Sequence, residues 1–503
     1  MFIRRNTFYL RRTALSFSTN VSLADKARAG SHKRWTRRQR KSAWTDGLSW
    51  EERLADAVTP LWRLSYEEQL ELKQNNQQKI LSELSGSLSA DLRSDFTAPA
   101  TAKPNFSVLS VLPSPVRDGY RNKSTFSVNR GVDGNPKTVG LYVGTGRQGN
   151  IVCVNADHLL NMPEKHKLVA RCYQDFIRLS SLDPCLLFHT GGHWREVTVR
   201  TNAQGHTMAI VYFHPQMLTA EEVAVHKEEL VEYFTRGPGS ACQLDSLFFQ
   251  ESTMTRCTHE ESPYQLLHGQ PHIYEEVLGF KFRISADAFF QVNQAAAQVL
   301  YNTVRDLCVP VTEEGASQSK TRGTLLDVCC GTGAIGIIAS PRVDRVIGIE
   351  LIEQAVRDAT HNAAFNNVEN CEFLPGKAEV VLPALMTQLS FGAGVLTAVV
   401  NPSRAGLHPR VVRALRKQAA IRRLVYVSCK PDGEAMRNFR ELCCAPDQEK
   451  KLTGQAFSPT LAVPVDMFPH TPHCELLLLF ERYQIKLRRN ISPCFDFWDS
   501  AHA

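Results

Sequence analysis

The middle of the chain alternates hydrophobic and polar residues with a period of two, from about Asn105 to Phe282. Within it, REVTVRTNAQGHTMAIVYFHP (Arg195–Pro215) places the turn-forming residues NAQG between two alternating runs. TFSVNRGVDGNPKTVGLYVG (Thr125–Gly144) repeats the pattern around DGNP. Alternation on either side of such turns is typical of β-hairpins. We therefore predict an antiparallel β-rich domain with a few helices over this part of the chain.

The second half has a different pattern, in which short apolar runs alternate with helical patterns from about Thr324 onward. The predicted strands are TLLDV, RVIGIE, NCEFLP, LTAVVN and LVYVS, followed by a last strand, HCELLLLFER (His473–Arg482). Strands that alternate with helices form a parallel sheet with helices on both faces. The fold class predicted for this half is therefore α/β, with a doubly wound, mostly parallel sheet.

A helix and a linker are predicted before the β-rich domain. Ser65 and Glu68 have the spacing of a capping box, and the pattern after them predicts a helix to about Leu84. The Ser-, Ala- and Pro-rich stretch SGSLSADLRSDFTAPATAKP follows and predicts a linker. The predicted organisation is a basic arm, a helix with its linker, the β-rich domain and the α/β domain, at 1–44, 45–104, 105–285 and 286–503.

The positive charge of the chain is concentrated at its beginning. Of 58 Lys or Arg and 51 Asp or Glu, residues 1–44 hold twelve bases and the single acid Asp25. The remainder has 46 bases against 50 acids, so we expect a polyanion to be held by local basic patches. The first 24 residues contain four arginines, several hydroxyls and no acid, a composition typical of mitochondrial transit peptides. We therefore predict the mitochondrial matrix, the alternative being an RNA-binding basic arm around Ser31–Lys41.

Other classes of protein are disfavoured by composition. No apolar stretch approaches the roughly 18–20 residues of a membrane helix, so we expect no membrane insertion. The 14 cysteines are dispersed and include no CxxC pair. Their spacing matches neither zinc nor iron–sulfur ligands, and we expect no metal.

Candidate chemistry begins at LLDVCCGTGAIGI, which reads as a strand, a glycine turn and the start of a helix. Asp327 precedes the glycines, and Glu350 ends the next predicted strand. An acid at that second strand end is placed to accept hydrogen bonds from ribose hydroxyls. The pattern indicates a nucleotide cofactor, either NAD or S-adenosylmethionine. A purely structural turn is the alternative.

Two further strand ends carry polar residues. Cys429 follows the buried run LVYVS, and in an open α/β sheet this position faces the ligand crevice. It is a candidate nucleophile or, alternatively, a small packing residue. Asn401 follows the preceding strand in VVNPSRAGL, where amino-directed methyltransferases place an aromatic shortly afterwards. Ser403 and Arg404 stand there instead, which disfavours methylation of an exocyclic amine.

Taken in order, the motifs FFQVN, DVCCGTG, GIE, NPSRAGL, VSCKP and DMFPHTPHCE resemble the uracil-5 RNA methyltransferase family. The resemblance extends from about Tyr120 to Arg482. It implies a Rossmann-like class I methyltransferase domain, using S-adenosylmethionine, preceded by a β-rich RNA-binding domain. It also implies methylation of carbon 5 of uridine in tRNA or rRNA.

The resemblance assigns roles to individual residues. Cys429 corresponds to the nucleophile that adds to carbon 6 of uracil, and Glu475 to the base that removes the proton from carbon 5. A following helix N-terminus and Lys430 are expected to lower the pKa of the thiol. The cofactor is expected to be bound by Gln291, Cys329, Gly331, Glu350 and Asn401. The RNA is expected to contact Tyr120, Arg121, Asn122, Lys123 and Arg404.

The sequence departs from the family pattern at three positions. Asn401 replaces an Asp, Lys430 an Asn and Ser403 a Pro. The Asn amide still donates to and accepts from a uracil edge but holds no charge. Two alternatives stay open at this point, a cytosine-5 RNA methyltransferase and a non-catalytic RNA-binding or assembly factor.

Overall fold

The computed structural model describes residues 47–94, 106–144, 151–186, 191–252, 262–309, 323–388 and 395–482. The predicted basic arm at 1–44 lies outside these residues. The helices are α1 (Trp50–Val58), α2 (Tyr66–Ser94), α3 (Glu164–Leu179), α4 (Ala220–Thr235), α5 (Gln294–Cys308), α6 (Ala334–Ala339), α7 (Glu353–Phe365), α8 (Ala378–Gln388), α9 (Pro409–Lys417) and α10 (Glu434–Cys443). The strands are β1 (Ser107–Val108), β2 (Lys123–Asn129), β3 (Thr138–Val143), β4 (Val152–Val154), β5 (Trp194–Thr201), β6 (Thr207–Phe213), β7 (Ser246–Glu251), β8 (Gln265–Gly269), β9 (Ile273–Val277), β10 (Phe280–Ile284), β11 (Gly323–Val328), β12 (Arg345–Glu350), β13 (Cys371–Pro375), β14 (Val395–Val400), β15 (Ile421–Ser428), β16 (Ser458–Val465) and β17 (Glu475–Glu481).

The β-rich part contains a seven-stranded sheet in the order β4-β3-β2-β5-β6-β7-β8. Both predicted hairpins are confirmed, since β2 pairs antiparallel with β3 and β5 with β6. The sheet is antiparallel as predicted except at one pair of neighbours, since β6 and β7 run parallel. Parallel neighbours need a crossover rather than a tight turn, and the long connection that contains α4 provides it. One face packs on α3, where the Trp194 ring meets Phe176 and Phe213 edge-on.

The C-terminal part contains an eight-stranded sheet in the order β1-β16-β17-β15-β14-β11-β12-β13. The five strands predicted as parallel, β11 to β15, are confirmed in that arrangement. The predicted last strand is β17, which runs antiparallel between β15 and β16. Strand β16 was not predicted, because Pro459 and Pro464 interrupt its strand-like pattern.

The N-terminal helix packs on the C-terminal sheet rather than standing apart. Ser65 and Glu68 form the predicted capping box, with each backbone N–H donating to the other's side chain. The helix runs to Ser94, so the first part of the predicted linker is helical. Its buried Leu84 belongs to the apolar core beneath β11, β14 and β15. The sequence shows the helix but not its partner, since packing depends on tertiary contacts.

The hairpin β9–β10 joins the two parts and leads into the FFQVN segment. Arg283 on β10 donates to Asp358 on α7 at 2.6 Å, and the carboxylate of Asp358 is fully buried. The predicted domain boundaries stay predictions, although β1 pairs with β16 of the C-terminal sheet rather than with the β-rich sheet. Among the described residues, no helix combines the length and apolar character needed to cross a membrane.

Candidate active site

The residues predicted to carry the chemistry lie at one edge of the C-terminal sheet. Strands β11, β14 and β15 run parallel, and Cys329, Asn401 and Cys429 directly follow their carboxyl ends. Strand β17 runs antiparallel to β15, with Leu476 opposite the last residue of β15. That register places Glu475 beside Cys429. The structure therefore brings together the residues assigned as nucleophile and base.

Glu475 is a buried acid at the start of its strand, with 3% of its surface exposed. Burial raises the pKa of its carboxyl to about 8, and the nearby positive charge of Arg404 opposes this rise. A carboxyl in such surroundings holds its proton at neutral pH and becomes a stronger base once ionised. The environment of Glu475 suits a group that exchanges a proton with a bound substrate.

The Cys429 thiol is half-buried, and its surroundings correct the sequence-based expectation. Burial is the largest influence and raises the pKa of the thiol, with a further rise from Glu475 when that carboxyl is charged. A hydrogen bond and positive charge from Arg404 lower it in part. The expected fall in the pKa of the thiol is wrong, and the helix that follows, α10, begins only at Glu434, five residues after Cys429. Arg404, rather than Lys430, is the cation that favours the thiolate.

The loop that carries Arg404 is fixed by one buried amide on α10. The Oδ1 atom of Asn438 accepts from the N–H of Leu407 at 2.7 Å and from the hydroxyl of Tyr426 at 2.9 Å, and its Nδ2 donates to the Leu407 carbonyl at 3.1 Å. Gly406 has φ +69°, and a Cβ there would lie 2.7 Å from the same Oδ1. The sequence gives no signal for Asn438, because its partners come from two other elements.

The glycine turn after β11 forms a cradle around Glu350. One carboxylate oxygen of Glu350 accepts from Gly331 N at 3.0 Å, and the other accepts from the N–H groups of Leu351 and Ile352. Cys329 and Gly331 both adopt positive φ, and a Cβ built on Gly331 meets no atom within 4 Å. Leu351 and Ile352 are each 59% exposed beside the fixed carboxylate. An acid for ribose, open space over the turn and apolar surface together fit S-adenosylmethionine.

Asp327 lies directly beneath this turn and is fully buried. Its Oδ2 accepts from Gly336 N at 3.1 Å, while its Oδ1 has no hydrogen-bond partner among the described residues. Burial raises the pKa of this carboxyl to about 7. Asp327 precedes the glycines in the sequence, and the structure shows that its carboxylate holds α6, the helix after the turn, through Gly336.

Gln291 and the predicted RNA-binding segment lie against each other. Gln291 is buried, and its main-chain carbonyl accepts from Asn122 Nδ2 at 2.9 Å. Arg121 forms a β-bridge with Asn293. Tyr120, expected on the RNA-binding surface, is instead 7% exposed, and its hydroxyl donates to the Pro469 carbonyl at 3.1 Å. Burial of its aromatic ring explains this difference, and its position supports the loop before Glu475.

The structure adds a cation that the sequence did not indicate. Arg200 on β5 lies directly across the sheet from Lys123 on β2. Arg200 is 3% exposed and donates to the carbonyl of Ala288, and burial lowers its pKa to about 10. Burial, followed by the charges of Arg200 and then Arg121, lowers the pKa of Lys123 to about 8, against the opposing charge of Asp287. Only the strand register reveals this cluster of cations, since its members are far apart in sequence.

The described residues contain no group of three His, Cys, Asp or Glu side chains arranged to hold a metal ion. Of the two histidines near the base, His470 accepts or donates within a buried hydrogen-bond network, and His473 lies near Arg404 and Lys430. Burial and these cations lower the pKa of His473.

Comparison with known proteins identifies the family. The family model described as tRNA (uracil-5-)-methyltransferase matches residues 276–483. A Danio rerio protein named tRNA (uracil-5-)-methyltransferase homolog B is 68% identical over 438 residues, covering 87% of this chain and 88% of that protein. The Homo sapiens protein of the same name is 57% identical and covers 86% of this chain and 84% of its own length.

A solved structure shares the fold. The Pyrococcus abyssi tRNA (uracil-54, C5)-methyltransferase in complex with S-adenosyl-L-homocysteine aligns with a TM-score of 0.56 at 23% identity, covering 84% of each chain. This agreement supports the Rossmann-like methyltransferase domain with its β-rich partner. The chain therefore belongs to the tRNA (uracil-5-)-methyltransferase family of S-adenosylmethionine-dependent enzymes.

Proposed function

We propose that this protein methylates carbon 5 of a uridine in mitochondrial tRNA through a transient covalent bond between Cys429 and the uracil ring. The observation that carries the proposal is the strand register that sets Cys429 beside the buried Glu475, with Arg404 acting on both side chains. A thiol and a base on neighbouring strand ends match the two steps of this chemistry that need protein groups.

The reaction follows from the electronic character of uracil. Carbon 5 is a weak nucleophile until the thiolate of Cys429 adds to carbon 6, which makes the ring an enolate. Carbon 5 of the enolate then bonds to the methyl group that S-adenosylmethionine supplies as a sulfonium, and the methyl–sulfur bond breaks with S-adenosylhomocysteine as the leaving group. Glu475 then takes the proton from carbon 5, and the electrons of that C–H bond re-form the ring double bond as the C6–S bond breaks. The products are 5-methyluridine and the free thiolate.

Arg404 links the protonation of the two groups. Because its charge favours both the thiolate and the carboxylate, it offsets the cost of holding two anions in a buried site. Access of the target base to this edge requires that the uridine leave its stack, as in other base-modifying enzymes.

The RNA backbone is held, in this proposal, by the cations near the FFQVN segment. Lys123 and Arg121 are partly exposed and are the cations that would contact a phosphate, whereas Arg200, opposite Lys123 on β5, is buried and contributes its charge from there. Like charges directly opposite in a sheet are unfavourable on their own, so an anion at this place stabilises them.

The mitochondrial matrix is proposed from the basic, acid-free first 24 residues. A fluorescent protein fused after residue 44 should enter mitochondria. Retention of that fusion in the cytosol would contradict this part of the proposal.

Mass spectrometry of RNA nucleosides tests the reaction. Purified protein with S-adenosylmethionine and unmodified tRNA should yield 5-methyluridine, and rRNA fragments tested in parallel show whether rRNA is also a substrate. Cys429→Ala should yield none, whereas the control Cys443→Ala, which changes a thiol at the end of α10, should be active. Appearance of 5-methylcytidine would favour the cytosine enzyme. Absence of any methylated pyrimidine would favour a binding factor.

A further inference from the structure

The segment between β16 and β17, residues 466–474, leads directly into Glu475 and is held by side chains from distant parts of the chain. The carbonyls of three successive residues, Met467, Phe468 and Pro469, each accept a hydrogen bond from a side chain outside the segment. Backbone groups of an irregular segment that is buried need such partners, since they lack those of a helix or sheet. The donors are Asn293, Lys73 and Tyr120.

Lys73, on α2, makes the most demanding of these contacts. Its side chain is fully buried and forms an ion pair with Asp466, and its Nζ also donates to the Phe468 carbonyl at 3.0 Å. The Asp466 carboxylate further accepts from the Tyr66 hydroxyl and from the Phe468 N–H, both at 3.0 Å. A buried ion pair is weak evidence for stability, because a packed apolar pair is often as good. What the pair does is join α2 to Asp466, the first residue of the segment.

One turn earlier on α2, Gln69 makes a second attachment. Its Oε1 accepts from the N–H of His470 at 2.7 Å, and its Nε2 lies 3.3 Å from His470 Nδ1. The other ring nitrogen of His470 lies 2.7 Å from Asp118 Oδ1. His470 has φ +66°, a conformation that L side chains seldom adopt and that surrounding contacts have to maintain. Its carbonyl accepts from Leu61 N at 2.9 Å.

The contacts of Lys73 and Gln69 all join α2 to the residues immediately before Glu475. His470 is five residues before Glu475, and the Cys474 thiol donates to the Val465 carbonyl at 3.2 Å across the base of the loop. A carboxyl that collects a proton from a bound ring needs a placement accurate to a fraction of an ångström. The side-chain contacts to residues 466–474 hold the backbone immediately before this carboxyl.

We propose that α2 is part of the active-site architecture, with Lys73 and Gln69 positioning Glu475 through residues 466–474. Neither side chain touches the reacting atoms. This inference rests on the proposed role of Glu475 as the base. It predicts a kinetic defect concentrated in proton removal, because residues 466–474 lead directly into Glu475, whereas Cys429 and the glycine turn lie at the ends of other strands.

The test compares Gln69→Ala, Lys73→Met and Glu475→Gln, with Arg423→Met as a control. Arg423 forms an ion pair with Glu481 at 2.6 Å on the same two strands, at the end away from the site. In the two α2 variants, turnover should fall roughly 10²-fold, as for a small misplacement of a catalytic group. The affinity for S-adenosylhomocysteine should stay within about twofold of wild type, because substitutions have nearly independent effects on sites with which they share no contacts. A covalent protein–RNA adduct should accumulate under denaturing electrophoresis, as in Glu475→Gln, and Arg423→Met should show none.

The outcomes separate the two proposals. Adduct in Glu475→Gln but none in either α2 variant overturns the positioning role and leaves the proposed reaction intact. A fall in turnover without any accumulated adduct is the result of a general structural defect, and it overturns the positioning role in the same way. No adduct in Glu475→Gln itself overturns both. If Lys73→Met does not fold, Gln69→Ala still tests the proposal, because this substitution removes no buried charge.

Discussion

The raised pKa of Glu475 predicts that this single carboxyl makes the protein less stable as pH rises. In the folded protein its pKa is about 8, against an ordinary value of 4.5. Between these values the unfolded chain releases the proton while the folded protein retains it. The unfolded state therefore binds fewer protons, and the free energy of unfolding falls with increasing pH. The contribution is fully present below pH 4.5 and is lost as pH rises through 8.

Glu475→Gln is the perturbation that isolates this effect, because the amide has nearly the shape of the protonated acid and does not titrate. The interval of 3.5 pH units between the two values, at about 1.4 kcal/mol for each, corresponds to about 5 kcal/mol. Asp327 and Glu275 also have pKa values raised to about 7 by burial. They are present in both proteins, so their effects cancel in the difference.

The assay is equilibrium urea unfolding of wild type and Glu475→Gln at intervals from pH 5 to pH 8.5. The two proteins should have similar free energies of unfolding at pH 5, and Glu475→Gln should become progressively more stable than wild type toward pH 8.5. Glu481→Gln on the same strand controls for an amide substitution in general. A gap that stays constant across this range, or one that favours wild type at high pH, would refute the burial argument.

Three further predictions concern the neighbouring groups. Cys429→Ala should lower methylation by roughly 10³-fold or more while calorimetry shows unchanged S-adenosylhomocysteine affinity, and comparable loss of both would reassign the residue to structure. Arg404→Leu should slow iodoacetamide alkylation of Cys429 at pH 7.5, followed by peptide mass spectrometry, because the pKa of the thiol rises further when the cation is removed; faster alkylation would contradict this. Lys123→Ala should weaken RNA binding and reduce the slope of log Kd against log salt by about 1; an unchanged slope would remove Lys123 from the phosphate contacts.

The local pattern of apolar and polar residues was sufficient to predict most strands of the C-terminal sheet. Each of the strands β11 to β15 contains a short, largely apolar run flanked by glycine, proline or polar residues, so pattern alone locates it approximately. The side chains at their ends then follow, because parallel strands present their carboxyl ends at one edge. Strand β16 was missed since Pro459 and Pro464 suggest a loop, and only pairing with β17 on one side and β1 on the other makes it a strand.

Properties that depend on distant contacts could not be predicted. The pKa of Cys429 was expected to fall because Lys430 and a helix follow it in sequence, yet burial outweighs local charge. Arg200 and Asn438 lie in no recognisable sequence motif. Their hydrogen-bond partners belong to other parts of the chain that folding brings near them. The attachment of Lys73 to Asp466 joins residues 393 positions apart. Such long-range pairs leave no periodic signal in one sequence.

The central claim is that a bond forms between the sulfur of Cys429 and uracil, and its direct test is the mass of that linkage. Glu475→Gln should be incubated with S-adenosylmethionine and tRNA, denatured, and digested with nuclease and trypsin. The account predicts one modified peptide, containing Cys429 joined to a methylated uridine nucleotide. A nucleotide attached to another cysteine, or no attached nucleotide in a protein that still methylates tRNA, would contradict it.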